Sequence, residues 1–89
     1  MITKDIQVLN KLGLHARAAA KLVFIANKFV SDITLVKDDK RADARSIMKI
    51  LMLSASKDSI INLSLEGNDE IQAMNYIEKL FQNKFDEDL

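Results

Sequence analysis

The chain has 89 residues, 48% of them hydrophobic and 29% charged, with 13 basic and 13 acidic side chains that cancel. That length holds one domain with one modest core, and zero net charge with few aromatics argues against nucleic acid as the main partner. The absence of cysteine removes disulfides and thiolate metal sites, and a lone histidine cannot build a structural zinc site, so neither metal nor cofactor is expected.

The start of the chain has no signal-peptide layout, and no apolar run approaches the roughly 18–20 residues that span a bilayer. A single cytoplasmic, monomeric domain over residues 1–89, with no membrane partner, is therefore the expectation. Ile2, Lys4, Ile6 and Val8 alternate with Thr3, Asp5 and Gln7 as a half-buried first strand. Gly13 ends the loop that follows. From Ala16 to Asn27 the spacing turns helical, with Ala19, Leu22, Val23 and Ala26 on one face and Phe29 packing beneath the end. Ile33 and Leu35 mark a second strand, Asp38-Asp39 a turn, and Arg41 to Asp43 a short third strand.

Ser46 offers an N-cap to a short helix from Ile47 to Leu53. Ile61, Leu63 and Leu65 alternate in a fourth strand closed by Gly67. Asp69 and Gln72 have the spacing of a capping box, and Ile71, Met74, Ile77, Leu80 and Phe81 mark a final amphipathic helix. The acidic tail Asp86-Glu87-Asp88-Leu89 is expected to fray. The order β-α-β-β-α-β-α with alternating strands predicts a two-layer α/β sandwich: an antiparallel sheet with one wet face and one face covered by helices.

Two features point to function. His15, the only histidine, falls where a loop opened by Gly13 becomes a helix, with Arg17 two residues on. Free N–H groups at a helix start form an anion site, so an imidazole and a guanidinium there suggest phosphate chemistry on the histidine itself. The plainer alternative is a histidine that merely caps the helix. The second feature is excess apolar surface. Ala16, Ala20 and Phe24 form a second run on the first helix, and Ile47, Met48 and Leu51 do the same on the second. These six form a candidate docking patch beside His15, with Lys49 at its rim; the alternative is that all of them are core.

Gly-Leu-His-Ala-Arg at 13–17 followed by Ala-x-x-Leu-Val at 19–23 resembles the active-site segment of the HPr family, the histidine-containing phosphocarriers of the bacterial phosphoenolpyruvate-dependent phosphotransferase system. Arg45-Ser46-Ile47-Met48 resembles the family segment with the regulatory serine, and Gly67-Asn68-Asp69-Glu70 the entry to its last helix. The resemblance implies a sheet in the order 1-4-2-3 with three helices on one face. It implies that His15 accepts a phosphoryl group on Nδ1 from enzyme I and passes it to an enzyme IIA-type protein, with Arg17 beside the phosphate. It further implies that Ser46 is the target of an HPr kinase where one exists. Ala18 stands where sugar-system members commonly have proline. With Leu51-Met52-Leu53 and Lys84-Phe85-Asp86-Glu87, it looks more like the nitrogen-related branch. Ser54 and Ser56 replace family glycines, which leaves the exit from the second helix open. The chain is thus expected to be a carrier rather than an enzyme, since no acid–base pair or metal-ligand set accompanies His15. The rival is an HPr-like regulatory binding module, controlled at Ser46, that passes no phosphate on.

Overall fold

A computed structural model describes residues 1–87. Strands β1 (Ile2–Gln7), β2 (Asp32–Lys37), β3 (Lys40–Asp43) and β4 (Ile60–Glu66) form one sheet in the order β1-β4-β2-β3. All neighbouring pairs are antiparallel, with Ile6 opposite Ile61, Leu35 opposite Leu63 and Leu35 opposite Ala42. Helices α1 (Ala16–Ala26), α2 (Ile47–Met52) and α3 (Glu70–Gln82) supply the other layer. The expected element order, the antiparallel sheet and the strand order are all present.

Period-2 alternation decides which face of the sheet is dry. Ile33, Leu35, Ile61, Leu63 and Leu65 turn inward and are buried against Ala19 and Leu22 of α1, Ile50 of α2, and Ala73, Ile77 and Phe81 of α3. Lys4 lies at the margin of this face and donates to Glu78 of α3 at 2.7 Å. In α1 the expected stripe is inward, although Val23 is only partly buried and Ala18 is fully so. Phe29 is half-buried, its ring 5.6 Å from that of Tyr76 on α3.

Three expectations fail at the entry and exit of α3. Asp69 makes no capping box with Gln72, because its carboxylate is taken by another segment: it accepts from the Val30 and Ser31 N–H groups at 2.9 and 3.0 Å and from the Ser31 hydroxyl. Glu70 answers the Gly67 N–H instead, at 3.2 Å. Ile71 is 66% exposed. At 100° per residue it lies roughly 120° from the centre of the stripe formed by Ala73, Met74, Ile77, Leu80 and Phe81.

As far as Glu87, the tail does not fray. Lys84, Phe85 and Asp86 take φ of 56°, 54° and 61°, a left-handed turn (Lys84–Asp86) that reverses the chain after α3. Phe85 is buried, with its ring edge-on to Phe81 at 4.8 Å. The same turn brings Glu87 back to the start of α1. Asp88 and Leu89 lie outside the described residues.

Candidate functional site

Gly13 makes the approach to α1 possible. Its φ is +67°, and a Cβ there would run into the Ala55 carbonyl and approach Ser56 Cα at 2.9 Å. Leu14 N–H then donates to the Ala55 carbonyl at 2.9 Å, which ties the loop before α1 to the loop after α2. Ser54, in one of the family-glycine positions, takes a left-handed φ of 52° to make that second loop. His15 thereby faces a shallow depression shared with Leu12, Leu14, Leu51 and Ser54.

His15 is the N-cap residue of α1, with extended backbone (φ −76°, ψ 178°), but its side chain caps nothing. The first α1 N–H to bond backward is that of Ala19, to the His15 carbonyl at 2.8 Å, so the helix start keeps donors for an external acceptor. The first turn carries no acidic residue and does carry Arg17. A cation there opposes the helix dipole, an arrangement that favours an anion between the two.

The imidazole is 24% exposed and its Nε2 meets the carboxylate of Glu87, whose side chain is 4% exposed. Glu87 also accepts from Asn10 Nδ2 at 3.1 Å, and the same Nδ2 donates to the Gly13 carbonyl at 2.7 Å. Desolvation pushes the Glu87 carboxyl up, but the hydrogen bonds from His15 and Asn10 and the charges of His15 and Arg17 outweigh it and hold it below its ordinary value. An ionised carboxylate can only accept, so Nε2 must carry a proton. Among the described residues nothing hydrogen-bonds Nδ1. The histidine thus keeps one nitrogen committed and one open.

The apolar excess is real. Ala16, Ala20, Phe24, Ile47, Met48 and Lys49 are exposed, Phe24 by 65% and Met48 by 68%, whereas Leu51 is half-buried against the core. Arg17, Ala20 and Phe24 line a groove with Leu80 and Asp86, while Leu51 shares the depression that His15 faces. Lys28 covers one side of the Phe24 ring at 4.7 Å. Ser46 caps α2, accepting from Lys49 N–H at 3.2 Å. Asn10 and Glu87 are the site residues that sequence reasoning misses. A lone phenylalanine four residues beyond Phe81, just before the acidic tail, is the available signal.

A family model described as "PTS HPr component phosphorylation site" matches residues 2–83. The chain belongs to the HPr family. It is 47% identical to the phosphocarrier protein HPr of Treponema pallidum, over 99% of this chain and 100% of that one. It is 44% identical to that of Xylella fastidiosa, over 99% of each. Among solved structures, HPr from Thermoanaerobacter tengcongensis matches over 100% of both chains with a TM-score of 0.95 at 44% identity. HPr from Bacillus anthracis matches with a TM-score of 0.86 at 40% identity, over 91% of this chain and 96% of that one. As an HPr, the protein is a phosphocarrier of the phosphotransferase system and not an enzyme. Among the described residues, no helix is long and apolar enough to cross a membrane.

Proposed function

We propose that the chain acts as one cytoplasmic, monomeric domain that carries a phosphoryl group on Nδ1 of His15. Enzyme I supplies the group from its own phosphohistidine, and a histidine of an enzyme IIA-type protein receives it. The observation that carries this reading is the divided imidazole: Nε2 is engaged by Glu87 while Nδ1 is open beside a helix start that lacks an acid and carries Arg17. Arg17 orients the phosphoryl oxygens, for which its planar fork is suited. The bonds on offer are modest, and a carrier needs them modest, because a deep well would trap the group.

Ala16, Ala20, Phe24, Ile47, Met48 and Leu51 form the surface that donor and acceptor use in turn, with Lys49 at its rim. Both partners must reach the same imidazole, so their footprints overlap. Apolar residues that protrude on two adjacent helices suit the core of such an interface. Ser46 is the regulatory position for an HPr kinase. A phosphate there would meet the first N–H groups of α2 without unfolding the helix, and would put charge inside the docking surface.

The test is incubation with phosphoenolpyruvate and enzyme I, followed by mass and acid-lability analysis. The native chain should gain one acid-labile phosphoryl group, and His15→Ala should gain none while keeping its fold. Loss of the His15–Glu87 pair can lower the melting temperature of His15→Ala, so the readout is labelling of the folded variant, and undiminished labelling overturns the assignment.

A further inference from the structure

Glu87 is a buried carboxylate delivered from the far end of the chain, and its delivery has a cost. Three consecutive non-glycine residues, Lys84, Phe85 and Asp86, sit in left-handed backbone, each disfavoured for an L-residue. Burial of Phe85 against Phe81 offsets this, as does a 2.6 Å bond from Lys21 Nζ to the Phe85 carbonyl. Asn10 is held just as deliberately. Its Nδ2 faces two acceptors, Gly13 O and Glu87 Oε1, so a flipped amide would set oxygen against oxygen. In the orientation this imposes, Asn10 Oδ1 is buried with no partner among the described residues. A buried unpaired oxygen is unfavourable, and here it accompanies a fixed carboxylate against His15 Nε2.

We propose that Glu87, braced by Asn10, is a positioning residue for phosphoryl transfer: it holds the proton on His15 Nε2, presents the Nδ1 lone pair to the incoming phosphorus, and offsets the positive ring charge that then forms. This rests on the reading of His15 as the phosphoryl acceptor. The step balances without a further reactant. The Nδ1 lone pair forms the new N–P bond as the N–P bond of the donor phosphohistidine breaks, and that electron pair returns to the donor ring nitrogen. His15 keeps its Nε2 proton, so its ring gains one positive charge. The donor ring, protonated on its other nitrogen, loses one. A carboxylate facing Nε2–H favours the charged product as it does in a hydrolase triad. Arg17 faces the phosphoryl oxygens instead. Glu87 therefore works on the ring, and Arg17 on the group the ring carries.

The experiment is imidazole 15N NMR of the native chain and of Glu87→Gln, alongside the rate of phosphoryl transfer from phospho-enzyme I. In the native chain the neutral ring should be almost wholly the Nε2–H tautomer. Glu87→Gln replaces one acceptor oxygen with a donor, so tautomers should mix. Transfer should slow roughly tenfold, the loss of one charge-assisted hydrogen bond, with the affinity for enzyme I unchanged. A tail that merely packs would move the melting temperature and leave tautomer and rate as they were. A native ring in the Nδ1–H tautomer, or Glu87→Gln transferring at the native rate, overturns the proposal. Failure of the native chain to be labelled at all would instead overturn the carrier reading. The tautomer is read on unphosphorylated protein and does not depend on that result.

Discussion

Both ends of α1 are tied to remote parts of the chain by charged side chains, and the two ties are built differently. At the C-terminal end Arg45 Nη2 serves the carbonyls of Ala26, Phe29 and Ser31 at 3.2, 2.7 and 2.9 Å. Asp69 takes the Val30 and Ser31 N–H groups and the Ser31 hydroxyl. These polar groups of the turn are answered by protein, and Ser31 is wholly buried. At the N-terminal end Asn10, Glu87 and His15 form a comparable cluster, yet Asn10 Oδ1 and His15 Nδ1 have no partner among the described residues. The saturated tie fixes the shape of the molecule. The unsaturated one leaves donors and a lone pair for something outside the chain, as a carrier requires.

The largest effect should come from breaking the saturated end. Arg45→Ala strips three carbonyls of a charged donor and should lower stability by about 3 kcal/mol, read by urea denaturation, while the folded fraction takes up phosphoryl groups at the native rate. Met48→Glu tests the surface beside the open end. It should weaken enzyme I binding by roughly 30-fold, about 2 kcal/mol at an interface anchor. Because Met48 is exposed, the melting temperature should barely move. A large stability loss with native affinity would mean that Met48 is core. Ser46→Ala removes the α2 cap and should cost about 1 kcal/mol, measured by thermal unfolding, with little change in transfer.

The smallest effect is in the pH profile of stability. The Ser31 hydroxyl, with the Val30 and Ser31 N–H groups, outweighs desolvation and holds Asp69 below its ordinary value; Glu87 is also held low. A carboxyl lowered in the folded state contributes stability that is complete above the unfolded range, near pH 4. That contribution is lost as pH falls through the folded value. Asp69→Asn should flatten this acid limb, and an unchanged slope would show that Asp69 contributes nothing to it.

Much of this was legible in the sequence for local reasons. Strand alternation and the Ser46 cap depend on residues within a few positions of each other, and both are where the pattern puts them. The order of the strands does not follow from alternation, and came from the resemblance. The unread parts are contacts across long separations. Asp69 has the spacing of a capping box, but Ser31 competes for its carboxylate from 38 residues away. Glu87 reads as a solvated tail residue because a carboxylate is buried only where partners await it, and His15 lies 72 positions earlier. Ile71 fits a stripe by residue type, but three-dimensional rotation about α3 turns it outward.

The central claim is that Nδ1 of His15 is the nitrogen left free to carry phosphorus, and the most direct measurement is the site of the N–P bond. Native chain labelled with 15N, phosphorylated by phosphoenolpyruvate and enzyme I, should show one-bond 15N–31P coupling at Nδ1, with the proton retained on Nε2. Phosphorus found on Nε2, or on a serine instead of the imidazole, would contradict it.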